Sequence, residues 1–94
     1  MERKVYVAPI GSDQLIVSAA SSIAAELRRA GIPAQSEISG RSLRKVLEAQ
    51  SALGTWAVVI LGPRELAENS VKVKWLSSGE EVTAKISDLP TMLK

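Results

Sequence analysis

Trp56-Ala57-Val58-Val59-Ile60-Leu61, closed by Gly62-Pro63, is the longest uninterrupted apolar run in the 94-residue chain. It falls far short of the roughly 18 apolar residues that a membrane-spanning helix needs. Rich in β-branched residues and lacking alternation, it has the pattern of a strand covered by helices on both sides, and so of a central strand. Gly62-Pro63 then opens a short helix. Proline suits the first helical position, where the missing N–H is not needed, and Glu65 in the first turn faces the positive end of the helix dipole.

Upstream, a helix is predicted from about Ser42 to Leu53, with Leu43, Val46, Leu47 and Leu53 on its buried side and Gly54 as its stop. Before it, Ile32 to about Ile38 reads as a weaker strand of mixed polarity at a sheet edge. Apolar residues at positions 15, 16, 19, 20, 23, 24, 27 and 30 have the i, i+3, i+4 spacing of a helix with one buried face. Ser12 or Asp13 caps its start, and Gly31 ends it after Arg28 and Arg29, in the turn where the dipole favours cations. Lys4 to Pro9, with Val5-Tyr6-Val7, is the first strand. Downstream, Val71-Lys72-Val73-Lys74-Trp75 and Glu81 to Ile86 alternate on either side of Ser77-Ser78-Gly79 and read as a hairpin. A last short helix begins at Ser87 or Asp88.

The element order is βαβαβα followed by ββα. With right-handed crossovers it predicts an α/β fold: a three-layer α/β/α domain on a five-stranded mixed sheet of order 2-1-3-4-5, strand 4 antiparallel. No linker or repeat divides residues 1–94, so one domain is expected. In this order the chain winds away from strand one in both directions, which puts the binding crevice at the C-terminal ends of strands one and three. Pro9-Ile10-Gly11-Ser12, the Ser39 to Lys45 stretch and Gly62-Pro63-Arg64-Glu65 converge there.

Composition removes most enzymatic chemistry. There is no His and no Cys, so the common metal ligands, the His and Cys catalytic groups and disulfides are all unavailable, and neither a metal site nor a catalytic residue is expected. The glycine spacings of a phosphate-binding P-loop or a dinucleotide fingerprint do not occur. Nor does the Gly-x-Ser-x-Gly turn that activates a serine. A receiver domain shares the strand order but needs a carboxylate cluster where strand one here ends in Pro9-Ile10. Twelve Lys and Arg against ten Asp and Glu give a net charge of +2, too little for bulk attraction to nucleic acid. The placement of the cations therefore decides.

Arg41, Arg44 and Lys45 crowd the start of the second helix, where a cation loses about 0.3 to 1 kcal/mol against the dipole. Such a cluster is tolerable facing water and useful facing an anion. Arg41 and Lys45 are four residues apart and would share one helix face; an Arg forks onto phosphate or a guanine edge, and a Lys supplies a point charge. The plainer reading is a solvated face on which Arg44 and Lys45 pair with Glu48. Lys72 and Lys74 share a strand face, which is either a binding surface or the polar side of an amphipathic strand. Glu65 is an ordinary first-turn carboxylate or, at the crevice, an acceptor for the amino or imino group of a base. Tyr6, Trp56 and Trp75 can stack on bases, but Tyr6 and Trp56 lie in strands expected to be buried.

Five segments carry a resemblance to a known family: Val5 to Gly11, Glu26 to Ile32, Ser39-Gly40-Arg41-Ser42-Leu43-Arg44-Lys45, Ala57 to Glu65, and Val71 to Lys74. In this order and spacing they resemble the C-terminal anticodon-binding domain of class IIa aminoacyl-tRNA synthetases. The Ser-Gly-Arg-Ser-Leu stretch is most similar to the histidyl members. The resemblance implies a domain that holds the anticodon loop of tRNA(His) while a catalytic domain outside these residues activates the amino acid with ATP and magnesium; no cofactor is expected in the domain itself. It also implies RNA contacts at Arg41, Ser42 and Lys45 beside the anticodon loop, at Glu65 in the Gly-x-x-Glu turn, and at Lys74, with Lys72 on the same strand face. The sequence departs from the pattern at Glu48-Ala49-Gln50-Ser51, where an aromatic and basic stretch is frequent, and at Asn69-Ser70, where Asn-Gly is usual. A cytoplasmic setting, no membrane association and a homodimeric parent enzyme are the accompanying expectations. The alternative is a non-catalytic regulatory or dimerisation module that kept the fold.

Overall fold

The computed structural model describes residues 3–37 and 41–94. Five strands, β1 (Val5–Pro9), β2 (Ala34–Ser36), β3 (Ala57–Leu61), β4 (Ser70–Trp75) and β5 (Glu81–Lys85), form one sheet of order β2-β1-β3-β4-β5. β1 lies parallel to β2 and β3, while β3–β4 and β4–β5 are antiparallel. The helices are α1 (Gln14–Arg29), α2 (Leu43–Ala52), α3 (Pro63–Ala67) and α4 (Leu89–Met92), the last preceded by a 3-10 turn at Ile86–Asp88. This is the mixed α/β sheet expected from the sequence, in the same order. The second strand is shorter than its pattern predicts, and the Ile38 end of that prediction lies outside the described residues, as do Ser39 and Gly40.

Every residue of β3 is buried. Ala57, Val59 and Leu61 enter a core shared with Ile16, Ala20, Ile23, Ala24 and Leu27 of α1 and with Leu89 and Leu93 at the C-terminus. Val58 and Ile60 point the other way, to Ala8 and to Val46, Leu43 and Leu47 of α2. The layers are therefore unequal, with α1, α3 and α4 on one face and α2 alone on the other. Each Val, Leu or Ile so buried contributes about 1.5–3 kcal/mol.

Local chemistry sets the ends of α1. Of its two candidate caps Asp13 serves, its Oδ1 accepting the Leu15 N–H at 2.8 Å. At the other end Gly31 sits at φ +86. Its N–H reaches the Arg28 carbonyl at 3.0 Å while the Ile32 N–H reaches Leu27 at 2.9 Å, the paired closure that needs a left-handed residue. Asn69, at φ 53, makes the tight turn from α3 into β4, a conformation asparagine tolerates better than most residues.

Two apolar residues break the pattern. Leu15 and Leu53, expected on buried faces, are 73% and 76% exposed. Leu15 lies in the first turn of α1, to one side of the row Ile16, Ala20, Ile23 and Leu27 that meets the sheet. Leu53 is the residue after α2, and the buried place one turn earlier belongs to Gln50, whose Oε1 accepts a 2.6 Å hydrogen bond from the Thr55 hydroxyl. A satisfied amide is tolerated where an unpaired one would cost about 1–3 kcal/mol. In urea titrations, Leu61→Ala should lower stability by about 2–5 kcal/mol. Leu53→Ala should stay within about 0.5 kcal/mol; a large loss would mean that Leu53 is covered in solution.

Candidate nucleic-acid interface

At the C-terminal rim of the sheet the Ile10 N–H donates to the Leu61 carbonyl at 2.8 Å, tying the exits of β1 and β3 together. Gly62 then caps α3, and its N–H donates to Glu65 Oε1 at 2.9 Å. A Cβ on Gly62 would stand 2.7 Å from that oxygen and 3.5 Å from Ile10 Cδ1. Glycine is thus the residue that lets the Glu65 carboxylate fold back onto the rim. Glu65 is half-buried there, with one oxygen committed to the backbone.

The start of α2 differs from its prediction. The helix begins at Leu43 and Ser42 is its N-cap, Oγ accepting the Lys45 N–H at 3.3 Å. Arg41 precedes the cap, so it does not share a helix face with Lys45. Its guanidinium instead forks onto Glu37, Nη2 to Oε1 at 2.8 Å and Nε to Oε2 at 3.2 Å. Glu37 is only 3% exposed, and the Tyr6 hydroxyl donates to the same Oε1. This network was not anticipated from the sequence; its one signal was a carboxylate four residues before an arginine. Lys45 is exposed. Arg44 pairs with Glu48 at 3.2 Å across a solvated face, an arrangement worth little.

Lys72 and Lys74 lie across from Ile60 and Val58 and so project on the α2 side of the sheet, Lys72 exposed and Lys74 half-buried. Lys74 borders a shallow groove with Leu47, Glu48 and Ser51 of α2. Arg41, Ser42, Lys45, Lys72 and Lys74 therefore occupy one side of the molecule, and Glu65 stands on its rim. The aromatics are placed otherwise. Tyr6 is engaged with Glu37, Arg3 lies 5.1 Å over the Trp56 ring, and Trp75 packs against the larger core on the face away from α2. Among the described residues no helix is long and apolar enough to cross a membrane.

A positively charged face beside a carboxylate rim, on a five-stranded sheet of this order, suits recognition of a nucleic-acid loop. Compared with known proteins, residues 4–94 match the family model described as "Anticodon binding domain". The chain belongs to that family. Over 96% of its length it is 33% identical to the histidine–tRNA ligase of Pyrococcus abyssi, and over 94% it is 35% identical to that of Methanocaldococcus jannaschii. It spans about a fifth of the length of these relatives, 20% and 21%. Among solved structures it resembles a histidyl-tRNA synthetase from Nostoc with a TM-score of 0.83, at 26% identity, over 93% of this chain and 20% of that one. The RNA binding domain of threonyl-tRNA synthetase from Cryptosporidium parvum superposes with a TM-score of 0.86 at 17% identity, over 97% of this chain and 22% of that one, a likeness of fold.

Tyr6 is the only tyrosine, so its titration reports the Glu37 network directly. Burial pushes its phenol above the ordinary 10.0, the Glu37 carboxylate raises it further, and Arg41 pulls it down. A phenol held above its unfolded value contributes stability that is fully present below about pH 10 and is lost as pH rises through the folded midpoint. Phenolate absorbance should therefore show a midpoint above 10.0. Arg41→Ala should raise that midpoint and Glu37→Gln should lower it. Equal midpoints in all three proteins would dissolve the network.

Proposed function

We propose that this chain is the anticodon-binding domain of a histidine–tRNA ligase and holds the anticodon loop of tRNA(His). The observation that supports the reading best is the alignment of nearly the whole chain with one fifth of the length of histidine–tRNA ligases. Activation of histidine with ATP and magnesium, dimerisation of the parent enzyme and a cytoplasmic setting belong to that wider assembly. The regulatory or dimerisation alternative is not favoured, since the relatives named above, matched over this span, are ligases.

Within this reading the residues divide by chemistry. Lys45 and Lys72 act as point charges for phosphates, because both are exposed and an ammonium carries no base information. Glu65 is the base reader: a carboxylate accepts from an amino or imino group and rejects carbonyl edges. Arg41 offers RNA only the part of its guanidinium that Glu37 leaves outward. Ser42 keeps the helix start in place as its cap.

Binding to tRNA(His), and to the same tRNA with its anticodon replaced, tests this directly; equal affinities would defeat anticodon reading. Lys45→Ala should weaken both about equally and reduce the slope of log affinity against log salt by about one. Glu65→Gln should instead shrink the preference between the two tRNAs, by up to about 1–3 kcal/mol per base read.

A further inference from the structure

β4 and β5 form the half of the sheet that α2 leaves open. Their register sets Ser70 across from Lys85, Lys72 from Thr83 and Lys74 from Glu81. These six residues share the face on the α2 side, while Val71, Val73, Val82 and Ala84 turn into or against the opposite core. The packing of α2 reaches Tyr6, Ala8, Val58, Ile60 and Leu76 and stops there. Lys72, Glu81, Thr83 and Lys85 are accordingly exposed.

Charge on this open face is unevenly placed: three lysines, Lys72, Lys74 and Lys85, share it with one carboxylate, Glu81. Lys74 has a carboxylate, Glu81, directly opposite. Lys72 and Lys85 face Thr83 and Ser70 instead; Lys85 and Glu81 are the two diagonal neighbours of Lys72, each about 7–8 Å away by the geometry of antiparallel pairs, and Glu81 is the one already opposite Lys74. Glu68, beside Lys85 in a shallow groove with Asn69 and Ser87, is turned to Arg64 at 3.8 Å. Like charges at this spacing disfavour each other unless an anion lies between them. Lys72 also pairs in register with Ile60, next to Leu61 and the Gly62–Glu65 rim, so the two ammonium groups lie at the same end of the sheet as the base-reading carboxylate.

We propose that Lys85 together with Lys72 is a phosphate-binding pair for RNA, gripping the backbone where it crosses the open β4–β5 face to reach Glu65. The pair rests on the anticodon-binding reading and adds to it a strand, β5, and a residue, Lys85. Lys74, offset by Glu81, contributes less to the charge that the RNA meets.

The test uses the intact chain, an RNA stem-loop carrying the histidine anticodon, and the same stem-loop with that triplet replaced, each titrated over a series of salt concentrations. Lys85→Ala and Lys72→Ala should each weaken binding to both RNAs in the same proportion and lower the salt slope by about one; the double variant should lower it by about two. Lys4→Ala, an exposed cation at the opposite end of β1, should leave the slope unchanged, and Lys85→Arg should retain it. Without RNA, Lys85→Ala should melt at the same temperature as the parent or higher, since it relieves a repulsion. Unchanged slopes for Lys85→Ala in a chain that still binds and discriminates the two RNAs would overturn this pair and leave the anticodon reading intact. A parent chain that binds neither RNA would overturn both.

Discussion

Val58 and Ile60 face one layer of helices while Ala57, Val59 and Leu61 face another, and all five are at most 3% exposed. A strand that must be dry on both sides requires helical cover above and below it, and here that cover comes from α1, α2 and α3 between the strands and from α4 after the last of them. Parallel strands joined by right-handed crossovers then follow, with β1 beside β3 and the chain winding outward from β1. With about 1.5–3 kcal/mol resting on each such side chain, against a net stability of about 5–15 kcal/mol for a whole domain, neither layer can be dispensed with. The rim where Ile10 bonds Leu61 and Gly62 seats Glu65 is the direct outcome of that arrangement.

The inequality of the two layers supplies the functional surface. Three helices close one face, and a single ten-residue helix covers only β1 and β3 on the other. The hairpin β4–β5 is left with a solvated side carrying Lys72, Lys74 and Lys85. Cations from the start of α2 are on the same side. A modest net charge of +2 thereby becomes a locally basic face, and field strength at a surface depends on such sorting more than on the total.

Within the cation cluster at the start of α2, each member has a separate electrostatic fate. Arg41 is drawn back onto a buried carboxylate, Arg44 is matched by Glu48 one turn on, and Lys45 remains in water above a helix start whose dipole does not favour it. The helix dipole makes such a cluster unusual. The carboxylates within reach, Glu37 for Arg41 and Glu48 for Arg44, distinguish its members.

Local signals in the sequence sufficed for the element order, the central place of Ala57–Leu61, the start of α1 to within Ser12 or Asp13, its Gly31 end, the Gly54 stop and the β4–β5 hairpin. Each depends on residues a few positions apart, whose caps, turns and periodicity are decided by backbone geometry alone. Leu15 and Leu53 are exposed against expectation, and Gln50 takes a buried place its polarity does not announce, because the 3.6-residue period says which residues share a face and not where the sheet beneath that face ends. The Tyr6 arm of the Tyr6–Glu37–Arg41 network and the Lys72–Lys85 diagonal were invisible for a related reason. Tyr6 and Glu37 are 31 residues apart, and Lys72 meets Lys85 only through strand register. The chain's own pattern determined what could be buried and in what order its elements run; the packing of those elements decided which charges meet, because electrostatic partners are chosen by distance in space.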